Sequence, residues 1–233
     1  MKTLFVLRHA KSSWDNPDWS DFERPLNSRG LDAARFIGNL IYERNLAPQI
    51  IISSPAKRAK QTAVLVKEIA EIPKPITFDE RIYEASPLTL FNLIREFDEK
   101  YDSVLIIGHN PGFENLVRVL TGETVQMPTA ALAKINLDIP QWSELENGSN
   151  ELKFLLRPKE EMKKSTTNSS QAPRLKSQVK NNDLGLEAWG LGPGTRHRIN
   201  IDLTFCSHRL KSGVIFCTFI SNEQGLLLFE ILF

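Results

Sequence analysis

The first 205 residues contain no cysteine, and the two that occur, Cys206 and Cys217, fall in the last 30. That excludes a disulfide framework for most of the chain. No apolar run approaches the roughly 18–20 residues of a membrane span. Charge of one sign is also lacking: 29 Lys and Arg stand against 28 Asp and Glu, a formal net charge of +1. Nothing global therefore points to nucleic acid or to an anionic membrane surface. Met1 and Lys2 run straight into a strand pattern with no apolar leader and no small-residue cleavage site, so a cytoplasmic protein is expected. There are no internal repeats. What remains is a chain of 233 residues with 41% hydrophobic content, enough for a globular core and for one domain with an appendage.

Strand and helix patterns alternate from residue 1 to about 157. Strands are expected at Thr3–Val6, Ile50–Ile52, Ile76–Phe78 and Val104–Ile107, and later at Ala131–Leu137 and Glu151–Leu156. A first helix follows Asn27, a good N-cap, and carries Leu31, Ala34, Ile37, Leu40 and Ile41 on one face. Further helices are expected to open at Ser54-Pro55, Ser86-Pro87 and Asn110-Pro111, each a capping side chain followed by a proline whose missing N–H costs nothing there. The alternation implies an α/β fold: a three-layer sandwich with a mainly parallel central sheet and helices on both faces. Residues 160–185 are polar and poor in large apolar side chains, so a disordered linker is expected. Residues 186–233 form a tail with strand-prone apolar stretches at 214–220 and 226–233 and no assignable fold.

Four segments place chemistry-bearing residues just after strands: Arg8-His9, Lys57-Arg58, Arg81-Ile82-Tyr83-Glu84 and Gly108-His109-Asn110. In open α/β sheets ligands bind at the carboxyl ends of parallel strands. Neutral imidazole attacks phosphorus without a deprotonating partner, and the neighbouring Arg8 can grip phosphoryl oxygens through forked bonds. The second helix offers three cations at its start, Lys57, Arg58 and Lys60, where a helix N-terminus favours anions. His109 can donate to an oxyanion. Glu84 can act as a general acid, worth about 10²–10⁴ in rate.

The strings Leu7-Arg8-His9-Ala10-Lys11-Ser12-Ser13-Trp14, Asp21-Phe22-Glu23-Arg24-Pro25-Leu26-Asn27-Ser28-Arg29-Gly30, Ser53-Ser54-Pro55-Ala56-Lys57-Arg58-Ala59-Lys60-Gln61-Thr62 and Gly108-His109-Asn110-Pro111 stand in order along the chain. Together they resemble the SixA-type phosphohistidine phosphatases of the histidine phosphatase (phosphoglycerate mutase-like) superfamily. The resemblance runs from Met1 to about Lys159, which sets a domain over 1–159. It implies that His9 becomes phosphorylated and that Arg8, Arg58 and His109 bind the phosphoryl group, so Arg58 is chosen among the three cations. Glu84 matches the acid position of the wider superfamily. Arg24 either reaches the pocket or braces the loop after the first strand. Ala10 stands where most superfamily members have glycine, as it often does in the SixA-type branch.

The implied activity is a phosphohydrolase working through a phosphohistidine intermediate, without metal or cofactor. About 20 residues separate Glu84 from the fourth strand, which leaves no room for an inserted lid. An open, shallow site is therefore expected, suited to phosphohistidine on a protein partner. The alternative is a small-molecule phosphomonoesterase of the same superfamily. His197, Cys206, His208 and Cys217 lack the tight paired spacing of a structural zinc site.

Overall fold

The computed structural model describes residues 1–148 and 150–163, together with the backbone of Leu210–Lys211, Val214–Ile220 and Leu226–Leu232. Two compact units are distinguished, Met1–Arg174 and Leu175–Phe233.

The first unit is built on a six-stranded sheet. Its strands are β1 (Lys2–Arg8), β2 (Ile50–Ser53), β3 (Ile76–Phe78), β4 (Ser103–Gly108), β5 (Leu132–Leu137) and β6 (Glu151–Leu156), in the spatial order β3-β2-β4-β1-β5-β6. The first four are mutually parallel, while β5 runs antiparallel to β1 and β6 antiparallel to β5. Side chains alternate across the sheet with the two-residue period of a strand. In β1, Leu4 and Val6 enter one core with Val104 and Ile106 of β4, while Phe5 and Leu7 enter the other with Leu105 and Ile107. Helices α3 (Pro87–Arg95) and α4 (Gly112–Thr121) cover the first face; α1 (Ser28–Glu43) and α2 (Lys57–Ile69) cover the second. The expected three-layer α/β architecture is thus present.

Two helices start where the capping residues indicated. Asn27 accepts from the Gly30 amide at 2.9 Å, and Ser86 accepts from the Thr89 amide at 3.0 Å with Pro87 next in line. Gly30 is required by close packing, because a Cβ there would stand 2.1 Å from the carbonyl oxygen of Lys11. The other two helices start later than the Ser-Pro and Asn-Pro signals suggest. α2 begins at Lys57, and the Ser54 hydroxyl instead meets the Ala56 amide at 3.3 Å and the His109 ring at 2.8 Å. α4 begins at Gly112, and the Asn110 side-chain amide donates to the Met127 carbonyl at 3.0 Å. In both cases a long-range partner outcompetes the local cap.

Residues 158–163 are helical, with Glu161 buried and ion-paired to Arg44. Packing therefore continues past the boundary expected at Lys159. From residue 164 the expected polar linker lies outside the described residues, as does most of the tail. Within the second unit, β7 (Leu210–Lys211), β8 (Val214–Ile220) and β9 (Leu226–Leu232) form an antiparallel sheet in that order. β8 and β9 pair from Val214–Leu232 to Ile220–Leu226, on the two stretches whose composition suggested strands. Of the four candidate metal ligands, His197, Cys206 and His208 lie outside the described residues, and Cys217 is described only as backbone of β8. Among the described residues no helix is long and apolar enough to cross a membrane.

Candidate active site

Three of the residues singled out in the sequence meet at the carboxyl edge of the parallel strands. His9 follows β1, His109 follows β4, and Arg58 sits in the first turn of α2. They are 8%, 6% and 5% exposed. The Arg58 Nε donates to His9 Nε2 at 3.2 Å, and its Nη2 lies 3.2 Å from His109 Nδ1. The two imidazole centroids are 4.9 Å apart.

The partners of each ring fix its tautomer. His9 Nδ1 lies 2.7 Å from the carbonyl oxygen of Ala10. A carbonyl only accepts, so Nδ1 carries the hydrogen and Nε2 presents its lone pair toward Arg58. At His109 the guanidinium only donates, so Nδ1 is the acceptor and Nε2–H donates to Ser54 Oγ at 2.8 Å. Both rings are neutral near pH 7. Burial, reinforced by Arg58 and Arg8 and opposed by the Ala10 bond, lowers His9 to about 4. Burial, then the charges of His9, Arg58 and Arg8, lowers His109 to about 3. Desolvation and neighbouring cations both disfavour imidazolium.

Arg8, the last residue of β1, is partly buried. Its Nη1 donates to the Met127 carbonyl at 2.9 Å, while its buried Nε has no hydrogen-bond partner among the described residues. Its charge acts on both histidines and Arg58. That leaves Arg8 with an unspent donor. Thr62 of α2 ties the elements together, accepting from the Ala10 amide at 3.1 Å and donating to the Arg58 carbonyl at 2.7 Å. Lys57 and Lys60 point elsewhere, over the rings of Trp19 and Phe78; burial separates Arg58 from them.

Arg24 does not contact the histidines. It braces the loop after β1, bonding the Ser13 carbonyl at 3.0 Å, Ser12 Oγ at 2.6 Å and Asp21 Oδ1 at 2.8 Å, with its guanidinium 3.2 Å from the Trp14 ring centroid. Glu84 is exposed in a turn, with φ of 49°, and makes no hydrogen bond or ion pair to a described residue. The structure therefore leaves Glu84 at the rim and does not join it to the cluster.

Residues that sequence reasoning passed over complete the site. Asp21 accepts from Arg58 Nη2 at 2.7 Å through Oδ2, and its backbone carbonyl accepts from Arg58 Nη1. Tyr83 Oη donates to the same Oδ2 at 3.0 Å, and its ring stands edge-on to His109 at 5.3 Å. Phe22 packs edge-on against Tyr83 at 5.1 Å. Burial alone would raise the Asp21 carboxyl. Hydrogen bonds from Arg58 and Tyr83, with the charges of Arg58 and Arg24, outweigh it and hold the group below the usual carboxylate range. Asp21, Phe22 and Tyr83 thus flank the buried His9, Arg58 and His109 side chains. Asp21 lies in the same short string as Arg24, and Tyr83 directly precedes Glu84; their spatial convergence was the missing signal. Among the described residues no group of three or more His, Cys, Asp or Glu is placed to hold a metal ion.

The family model for the histidine phosphatase superfamily (branch 1) matches residues 4–103. The phosphohistidine phosphatase SixA of Escherichia coli is 31% identical over 142 residues, covering 58% of this chain and 85% of SixA. An uncharacterized protein of Mycobacterium leprae is 30% identical over 159 residues, covering 63% of this chain and 96% of the relative. Among solved structures, the protein histidine phosphatase SixA complexed with tungstate superposes with a TM-score of 0.60 at 25% identity, over 68% of this chain and 98% of that one.

Proposed function

Because the chain belongs to the histidine phosphatase superfamily and is a homologue of SixA, we propose that it removes the phosphoryl group from phosphohistidine on a cytoplasmic protein, through a phosphohistidine intermediate on His9. The observation that carries this reading is the His9 ring itself. Its proton is fixed on Nδ1 by the Ala10 carbonyl, which leaves the Nε2 lone pair as the nucleophile, held at rest by the Arg58 Nε–H, with the His109 ring centroid 4.9 Å away. That a SixA structure of this fold is complexed with tungstate, an oxyanion, supports an oxyanion-binding reading of the site.

In the first step His9 Nε2 attacks phosphorus, the P–Nε2 bond forms and the bond to the leaving group breaks. The departing imidazole or alkoxide takes a proton from Glu84 or water. In the second step water attacks the phosphohistidine, the P–Nε2 bond breaks and inorganic phosphate leaves. Arg8 and Arg58 hold the phosphoryl oxygens. A dianion beside His109 opposes the effects that lower it, so the ring can gain a proton and turn donor. Positioning and charge stabilisation carry most of the catalysis in phosphoryl transfer, and two guanidiniums supply the charge a metal would otherwise give.

Incubation with a ³²P-phosphohistidine protein, followed by rapid quench, should trap an acid-labile, base-stable phosphoenzyme that His9→Ala lacks. Turnover should survive a chelator and exceed that of a panel of small phosphate esters. Wild-type turnover by His9→Ala would sink the mechanism, and faster turnover of one small ester would shift the assignment to a phosphomonoesterase.

A further inference from the structure

We propose that Asp21 is a positioning residue: it grips the outer edge of the Arg58 guanidinium and so aims the inner edge at the phosphoryl site. Arg58 uses its two edges differently. Nε and Nη2 face His9 Nε2 and His109 Nδ1, each at 3.2 Å. Nη1 and the other hydrogen of Nη2 are taken by one residue, through the Asp21 backbone carbonyl and Oδ2. A forked grip of this kind fixes both the plane and the rotation of a guanidinium. An untethered arginine has many rotamers to lose on binding an anion; here they are already lost.

Asp21 is itself held. Its Oδ1 accepts from Arg24 Nη1 at 2.8 Å and its Oδ2 from Tyr83 Oη at 3.0 Å. Arg24 is anchored on Ser12 and Ser13. A continuous path therefore runs from the loop after β1 through Arg24 and Asp21 to Arg58. It gives Arg24 its purpose without any contact to the histidines, and it spans 37 residues of sequence between Asp21 and Arg58.

The competing interpretation is that Asp21 occupies the phosphoryl subsite and must leave. The two predict opposite signs. Removing a negative charge beside an anion site favours the anion, so a loss of anion binding on neutralising Asp21 reports lost positioning.

The inference rests on the phosphoryl-binding reading of the site. Its test is orthophosphate affinity by calorimetry on the full chain, beside kcat and KM for para-nitrophenyl phosphate. The proteins are wild type, Asp21→Ala, Asp21→Asn, Arg58→Ala and Asp21→Ala/Arg58→Ala. Asp21→Ala should weaken phosphate about tenfold or more, the scale of one charge-assisted hydrogen bond, and act chiefly on KM. Asp21→Asn, which keeps an oxygen for Arg58 and preserves volume, should fall between. In the Arg58→Ala background the loss of Asp21 should cost less than about twofold, because partners in one network do not add. Unchanged or tighter phosphate in both Asp21 variants, or a loss fully additive to that of Arg58→Ala, would overturn the inference. These binding results without any phosphoenzyme would uphold it and overturn the hydrolytic reading; wild type that binds no phosphate would remove both.

Discussion

Acidification from pH 7 to pH 5 should strip stability from this fold through two histidines. His9 and His109 are buried and lowered from 6.5 to about 4 and about 3. At pH 5 both therefore remain neutral in the native state, while in the unfolded chain both bind protons below 6.5. A base depressed by folding contributes its full stability above the unfolded value and loses it as pH falls toward the folded value. Each pH unit below 6.5 costs about 1.4 kcal/mol per histidine, hence about 2 kcal/mol each at pH 5 and about 4 kcal/mol together. The two losses add in this window because neither ring is charged in the native state. Carboxylates such as Asp21 and Asp79, held below their usual range, release their contribution only at lower pH. Against a typical stability of about 5–15 kcal/mol, the drop is large. Urea titrations at pH 7 and pH 5, followed by the fluorescence of the fully buried Trp142, measure it. His9→Asn or His109→Gln should each halve the pH sensitivity. A wild-type stability that is flat between pH 7 and pH 5 would refute the reasoning, as would variants with undiminished sensitivity.

Glu84→Gln should damage hydrolysis of alkyl phosphates far more than of aryl phosphates, since only poor leaving groups need the proton; equal losses in kcat on both would deny it the acid role. A chain ending at Lys163 should keep kcat and be more soluble than the full chain, whose last eight residues are strongly apolar. Ending instead at Lys159 should lower stability by up to about 1 kcal/mol, because the Arg44–Glu161 pair is lost and Arg44 is 41% exposed. Loss of activity in both would place the tail inside the fold. Gly30→Ala drives a Cβ to 2.1 Å from the Lys11 carbonyl and should cost about 1–3 kcal/mol; a wild-type urea midpoint for that variant contradicts the packing.

The sequence by itself determined the strands of the sheet to within a few residues, because two-residue alternation and apolar runs are local signals. It also determined the starts of α1 and α3, where Asn27 and Ser86 had no stronger partner than the helix they cap. It placed His9 and His109 at strand ends and Arg58 at the start of the helix after β2, where the topology of a parallel sheet brings them to one edge. Only the tertiary structure decided how those residues are arranged. Burial, not helix position, distinguishes Arg58 from Lys57 and Lys60. The Ser54 hydroxyl left its expected cap for His109, 55 residues away. Asp21 and Tyr83 entered the site through bonds to partners 37 and 62 residues distant, and Glu84 stayed at the rim. Such pairings depend on how loops from separate strands converge after the core has packed, and no periodicity or cap along the chain encodes them.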